Sequence, residues 1–262
     1  MMENFNVLLF TQNSLKYSMC KNGFIIPFKG KNPSGAYDLN LLFRKGNFFI
    51  MDNHLAAAWC WLQSIDLGKQ YNYFHIDRHY DLLDSQLEKW LKYLDENKIK
   101  LAEIPIKDLL KLKCSIDSGV HDVFQIFRWD NYLPIFTKTF PSIIAKSFFA
   151  THKDGTVPEW FKMVELDVPS LMNNFLYDSG TGDVKKWILN IDIDYFFVKH
   201  DGKYLQIISD DFILEMCSEI KKRKDDIQVI TLALSPEFCG GWNNSLRIAK
   251  IFSSYFNLGF SI

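Results

Sequence analysis

Short apolar runs alternate along the chain with longer stretches in which apolar residues recur with the period of a helix. The apolar runs predict strands at Val7 to Phe10, Asn47 to Met51, Tyr71 to Ile76, Ser142 to Ala145, Trp187 to Ile193 and Gln228 to Leu234. The periodic stretches predict helices at His54 to Ser64, Ser85 to Asn97 with Ser85 as its N-cap, Val123 to Thr137, Ser209 to Arg223 and Asn243 to Tyr255. This alternation is typical of an α/β domain with a largely parallel central sheet.

The length of the chain suits one α/β domain built around one sheet. Enzymes of this class with about 260 residues often fold as a single unit, so we predict one domain over residues 1–262. The 23 Phe, 11 Tyr and 7 Trp supply the bulky apolar side chains of a substantial core. The polar stretch Asp178 to Asp183 predicts a loop, and no repeat or long linker divides the chain.

The net charge and the cysteines indicate which binding partners and which cellular compartment to expect. A formal net charge of -1 gives no basic face for nucleic acid or an anionic membrane, so we expect neither as a partner. The five cysteines are scattered without a CxxC pair, which favours a reducing compartment over a disulfide framework or a thiolate zinc site. The apolar run near the N-terminus is too short for a signal peptide or a membrane span, and we expect a cytoplasmic protein.

The densest set of metal-ligand side chains follows the predicted strand at Tyr71 to Ile76. Asp77, His79 and Asp81 stand at alternate positions, so an extended backbone would place them on one face. Ligands of parallel α/β sheets bind at the carboxyl ends of strands, which is where this segment falls.

A second pair of carboxylates, Asp192 and Asp194, ends another apolar strand. Buried carboxylates are costly unless a cation or hydrogen-bond donors compensate them, and a divalent metal does this well. His54 follows a third predicted strand and can add a nitrogen ligand, while Glu237 follows a fourth and is expected to face the same cavity. Oxygen and imidazole nitrogen together favour manganese or a similar ion.

Each of these motifs also has a structural interpretation. A lone DxD at a strand end can cap a turn, and a lone histidine at a helix start is commonly structural. Because all four segments follow predicted strands, they would gather at one edge of a parallel sheet, and we therefore predict a metal site there.

The motifs resemble those of the ureohydrolase superfamily, which includes arginase and agmatinase, and in particular its peptide arginase branch. The DxHxD element of the family appears as Asp77 to Asp81, its later DxD as Asp192 to Asp194, and its upstream histidine as His54. The sequence segments HIDRHYDL, RWDNYLP and LNIDIDYF are similar to segments of the peptide arginase branch. The resemblance implies a three-layer, arginase-like fold and covers positions 52 to 241.

The resemblance also implies a ligand set and a reaction. Two manganese ions would be held, one by His54, Asp77, Asp81 and Asp192 and the other by Asp77, His79, Asp192 and Asp194. They would activate a water that attacks the guanidinium carbon of an arginine side chain within a peptide, releasing urea and leaving ornithine. By the same resemblance Asp81 would pass a proton to the departing amine, and Glu237 would pair with the guanidinium cation.

The chain departs from the family pattern in its proton shuttle. Arginase carries a further histidine after the DxHxD element, whereas the next histidines here are His121 and His152, each of which can equally be structural. Asp130 and Asn131, in an aromatic segment that predicts a helix, are candidates for lining the substrate entrance, although such segments are more often core.

Two other functions fit the same pattern. A metal-dependent amide hydrolase or deacetylase shares the sheet architecture but usually has one zinc and a tandem histidine pair, and this chain contains no His-His. A non-catalytic protein could keep the fold and one structural metal. Metal stoichiometry separates these hypotheses from a two-ion hydrolase.

Overall fold

The protein is built around an eight-stranded sheet with helices packed against it. A computed structural model describes residues 22–115, 123–177 and 185–262. The sheet strands are β1 (Asn22–Ile26), β2 (Leu42–Lys45), β3 (Phe48–Met51), β4 (Tyr71–Ile76), β7 (Ile144–Ala150), β8 (Val164–Leu166), β9 (Lys186–Asp192) and β12 (Ile227–Ala233). Two hairpins stand apart from the sheet, formed by β5 (Lys113–Ser115) with β6 (Val123–Gln125) and by β10 (Phe197–His200) with β11 (Lys203–Gln206).

The strand order brings distant parts of the sequence together. The order is β1-β2-β3-β12-β9-β4-β7-β8, and every pair from β3 to β8 is parallel, whereas β1 and β2 add an antiparallel edge. The carboxyl ends of β3, β12, β9 and β4 therefore lie side by side at one edge of the sheet.

Helices cover both faces of the sheet. The helices are α1 (Ala57–Leu62), α2 (Leu87–Glu96), α3 (Ile106–Leu109), α4 (Tyr132–Thr139), α5 (Val168–Asn173), α6 (Asp210–Lys222) and α7 (Trp242–Tyr255). Helices α1 to α4 pack on one face in a cluster with Tyr73 and Val229, and α5 to α7 pack on the other with Phe74 and Ile230. Adjacent strand residues thus point to opposite helix layers, as a pleated strand requires. The predicted α/β class with a mainly parallel sheet is confirmed, and the layers are compatible with a three-layer arrangement.

Most strands and helices predicted from the sequence exist with small shifts at their ends. β4 has the predicted bounds, while β3, β9 and β12 differ by one residue at one or both ends, and β7 runs five residues further than predicted. The first predicted helix begins as a 3₁₀ turn over His54–Ala56 before α1. The predicted strand at Val7 to Phe10 and the loop at Asp178 to Asp183 lie outside the described residues.

Two local predictions are wrong. The helix predicted at Val123 to Thr137 is strand β6, a turn, and then α4, which starts only at Tyr132. Asn131 explains the late start, because its side chain accepts from the Arg128 amide at 2.8 Å and donates to the Ile126 carbonyl at 2.7 Å, which stabilises a turn in place of helix. Ser85 is not the N-cap of α2, since that position belongs to Gln86.

Within the described residues, no helix is both long enough and apolar enough to cross a membrane. The cysteines of the described part, Cys60, Cys114, Cys217 and Cys239, are buried free thiols.

Candidate metal centre

The ends of neighbouring parallel strands bring the predicted ligands together. Asp77 directly follows β4, and Asp192 is the last residue of β9. The chain then enters a 3₁₀ turn over Ile193–Phe196, whose first turn carries Asp194, and the Asp192 side chain caps this turn by accepting from the Asp194 amide at 2.9 Å. His54 begins the 3₁₀ turn that leaves β3.

One group of ligand atoms surrounds the imidazole of His54. Its Nδ1 lies 3.1 Å from Asp77 Oδ2, 3.1 Å from Asp81 Oδ2 and 3.5 Å from Asp192 Oδ2. His54 is 2% exposed and Asp192 is 4% exposed, so these groups meet almost without solvent.

A second group shares Asp77 with the first. The Nδ1 of His79 lies 3.4 Å from Asp77 Oδ1 and 3.1 Å from Asp194 Oδ2. Backbone amides hold the carboxylates in place: His79 donates to Asp77 Oδ1 at 2.6 Å, and Arg78 donates to Asp194 Oδ1 at 3.1 Å. Each group offers at least three ligand atoms within 4.8 Å of one another, and the ligand atoms of His75, Asp77 and Asp81 lie equally close together.

The electrostatics of the cluster favour a bound cation. Burial and the adjacent Asp77 charge raise the pKa of Asp81 to about 7, and burial with neighbouring carboxylates raises the pKa of both Asp192 and Asp194. Burial opposes the charge of Asp77 as well, but hydrogen bonds to His54 and His79 outweigh it and lower its pKa. Four carboxylates this close repel one another unless positive charge lies between them.

Orphaned polar atoms test whether the residues fit a metal ion. The buried Oδ2 atoms of Asp77 and Asp194 and the buried Nε2 of His54 have no well-formed hydrogen bond among the described residues. Buried polar atoms are normally satisfied, so the two oxygens have the environment expected of ligand atoms. Carboxylate and imidazole donors suit manganese and similar divalent ions, and the residues fit such an ion.

Two of the positions have unusual backbone conformations. Asp81 has φ of 53° and Ser235 has φ of 37°, in the left-handed region that L residues rarely adopt. The turn at Asp81 directs its carboxylate back toward His54. Ser235 was not predicted, yet its Oγ donates to Asp192 Oδ2 at 2.5 Å, and its place directly after the predicted strand at Gln228 to Leu234 was the available sequence signal.

His75 also lies close to the centre, but both of its ring nitrogens have other partners. Nε2 lies 3.1 Å from the His79 carbonyl, and Nδ1 lies 3.1 Å from Tyr73 Oη and 3.0 Å from Asn190 Nδ2. Complete burial lowers its pKa to about 4, so the ring is neutral at pH 7. The neutral tautomer with hydrogen on Nε2 satisfies every contact, which makes His75 a support of the loop that carries His79.

A cavity of about 500 Å³ opens above the candidate ligands. His54, His79, Asp81, Asp192 and Asp194 all contribute to its wall. The remaining wall combines aromatic and acidic side chains, including Tyr80, Trp129 and Phe238 together with Asp84, Asp130 and Asp154. The Phe238 ring packs against His79 at 4.9 Å between centroids, so the aromatic part of the wall directly adjoins the second ligand group.

The candidate substrate residues do not all face this cavity. Glu237 is absent from its wall, and its Oε1 accepts from the backbone amide of Ser34. Asp52 accepts from the Ser34 hydroxyl, so these two carboxylates hold the loop at Ser34. Asp130 does line the cavity, but its carboxylate binds Arg128 at 2.9 and 3.0 Å.

Asn131 and the histidines have other roles or positions. Asn131 is fully buried and stabilises the turn before α4. His152 does not line the cavity, and it hydrogen-bonds the backbone of Tyr195 and packs on that ring at 5.0 Å. His121 lies outside the described residues.

Neither a protein-family model nor a curated protein matches this chain. The family suggested by the motifs therefore stays a prediction. The geometry supports the coarser conclusion that buried histidine and aspartate groups at this sheet edge can hold a metal ion.

Proposed function

We propose that the protein is a ureohydrolase of arginase-like fold that uses two manganese ions to convert arginine within a peptide to ornithine and urea. One observation carries the proposal: the ligand atoms around His54 and those around His79 share Asp77, and the other members of both groups line a single cavity. A carboxylate shared between two groups of ligand atoms is an arrangement suited to two neighbouring ions.

Two ions held by these residues would lower the pKa of a shared water enough to supply hydroxide near neutral pH. The protein's own contribution is to hold the ligand atoms before the substrate arrives. Backbone amides fix Asp77 and Asp194, and Ser235 fixes Asp192, so that little reorganisation accompanies the reaction.

The acidic cavity suits a cationic substrate. Asp130 is paired with Arg128, and Asp154 accepts from Arg78 Nε at 2.5 Å. Asp84 instead accepts from the neutral indole of Trp160 at 3.0 Å. We therefore assign Asp84 to the guanidinium cation, in the role that the sequence motifs suggested for Glu237.

Water and groups on the cavity wall account for the bonds and protons of the proposed hydrolysis. The water oxygen bonds to the guanidinium carbon, and the bond from that carbon to the chain nitrogen of arginine breaks. Asp81, adjacent to His54 on the cavity wall, carries the first water-derived proton to the departing nitrogen. The second proton, released as the urea carbonyl forms, also ends on that nitrogen, which leaves as an ammonium group. The products are urea and an ornithine side chain.

Mass spectrometry of arginine peptides tests the proposal. Purified protein with manganese should lower the peptide mass by about 42 Da per arginine and release urea, as expected for hydrolysis by metal-activated water. Asp194→Asn should abolish the change. Asp201→Asn, in the exposed turn of the β10–β11 hairpin, should leave it intact.

The same experiment separates the alternatives. Acetyl-lysine peptides included in the mixture should stay unchanged, and loss of acetate instead of urea would support an amide hydrolase or deacetylase. If metal binds in the expected amount but arginine peptides, arginine and agmatine all stay intact, the proposed substrate is wrong.

A further inference from the structure

A buried row of polar side chains crosses the sheet directly beneath the candidate metal centre. His75 on β4 pairs with Asn190 on β9, and Asn190 pairs with Thr231 on β12. His75 and Asn190 are 0% exposed, as is Thr231. Because strand side chains repeat every two residues, this row lies one step below Asp77 and Asp192 on the same face of the sheet.

The hydrogen bonds of this row run in one direction along the sheet. The indole Nε1 of Trp61 can only donate, and it lies 3.1 Å from Thr231 Oγ1. The Thr231 hydroxyl then donates to the side-chain oxygen of Asn190 at 2.5 Å. The Asn190 amide donates to Tyr132 Oη at 3.0 Å and also to His75 Nδ1 at 3.0 Å.

The chain of donors ends on a candidate ligand. The Tyr132 hydroxyl accepts from Asn190, and it hydrogen-bonds the carboxylate of Asp81, to which it donates when that carboxylate is ionised. The Tyr132 ring also packs against His54 at 5.3 Å between centroids. Tyr132 thus contacts two members of the first ligand group.

We propose that Tyr132 is a positioning residue for one of the two metal ions, and that the donor chain from Trp61 through Thr231 and Asn190 fixes its hydroxyl toward Asp81. The inference rests on the proposed metal centre. Donors aligned in a low-dielectric interior polarise one another, which strengthens the last bond, and partners outside a ligand shell orient the ligands within it. The Tyr132 hydroxyl bonds Asp81, whose carboxylate lies 3.1 Å from His54 Nδ1, so its effect should fall on the ion held beside His54.

Manganese titration of the full chain tests the inference without requiring turnover. Isothermal titration with manganese chloride compares metal-stripped wild type with Tyr132→Phe, which keeps the ring and removes the hydroxyl. We expect about tenfold weaker affinity for one ion and an unchanged affinity for the other. Thr231→Val, which breaks the chain before Tyr132, should weaken the same ion about threefold, and Thr231→Ser should restore it.

A matched control removes a tyrosine hydroxyl that lies away from the candidate ligands. Tyr71 Oη accepts from the Asp66 amide at 2.9 Å at the opposite end of β4, so Tyr71→Phe should leave both affinities unchanged. Thermal unfolding of each metal-free variant checks that it is folded. Equal manganese affinities in Tyr132→Phe and wild type would overturn the positioning role alone, whereas a wild type that binds no manganese would overturn the metal centre.

Discussion

Replacing Asp192 with asparagine should separate two effects of the acidic cluster. One is the charge repulsion that destabilises the metal-free protein, and the other is the binding of manganese. Asparagine keeps the shape of the side chain and can keep both of its hydrogen bonds, and it removes the charge that faces His54 at 3.5 Å. Its oxygen can accept from the Asp194 amide at 2.9 Å, and its amide can donate to the Ser235 hydroxyl at 2.5 Å. The substitution removes one negative charge and little else.

The geometry sets the size of the effect. Asp77 and Asp192 offer ligand oxygens within 4.8 Å of each other. Two unit charges at that distance repel by about 3.5 kcal/mol at an effective dielectric constant of about 20. Burial and the charges of Asp194 and Asp77 raise the pKa of Asp192, whereas the neighbouring His54 lowers it, so partial protonation and the His54 ring offset part of the repulsion in wild type. The metal-free Asp192→Asn protein should therefore be as stable as wild type, or more stable by a few kcal/mol, on the order of the 3.5 kcal/mol repulsion.

In the presence of manganese, wild type should be more stable than Asp192→Asn. An ion at a thousandfold excess over its dissociation constant stabilises the folded state by about 4 kcal/mol, which is roughly 8–16 °C for a domain of this size. Wild type should gain this increment, and Asp192→Asn should gain much less because it lacks a ligand of the first group. Differential scanning calorimetry in chelator and in manganese measures both, with bound metal counted by elemental analysis. A variant that is destabilised in chelator, or that gains as much from manganese as wild type, would refute the electrostatic reasoning.

Two further substitutions test the cavity wall. Asp84→Asn should raise KM for an arginine peptide about tenfold or more without changing bound metal, because it removes a charged partner of the guanidinium group, while Asp95→Asn on the exposed face of α2 should change nothing. Glu237→Ala should lower the free energy of unfolding by about 1 kcal/mol through loss of its bond to Ser34 and change KM less than about threefold, as steady-state kinetics and denaturant titration can show. Loss of activity at unchanged stability would return the guanidinium-binding role to Glu237.

The positions of the candidate ligands could be predicted because their pattern is local. An aromatic run followed by alternating acidic and histidine residues predicts both strand β4 and the side chains that leave it at Asp77, and β4 has its predicted bounds. The parallel sheet then requires that Asp77 and Asp192 meet at one edge, since β4 and β9 are neighbours.

The supports of the site could not be predicted in the same way. In the sequence, Asn190 and Thr231 are single polar residues within apolar strands. Only the register between β9 and β12 places them side by side. The turn before α4 was missed because the bonds of the Asn131 side chain compete with a helix that the aromatic spacing favours. The direction of the Glu237 side chain depends on the loop at Ser34, far away in the sequence.

The place of β12 in the sheet has a consequence for folding. This strand is the last of the sheet in sequence, yet it lies between β3 and β9, which carry His54 and Asp192 at their ends. A growing chain therefore cannot complete the sheet edge that carries the ion-binding groups until β12 has been inserted between β3 and β9. An ion that binds only the completed arrangement cannot nucleate it, so manganese should slow unfolding and leave the rate of folding almost unchanged.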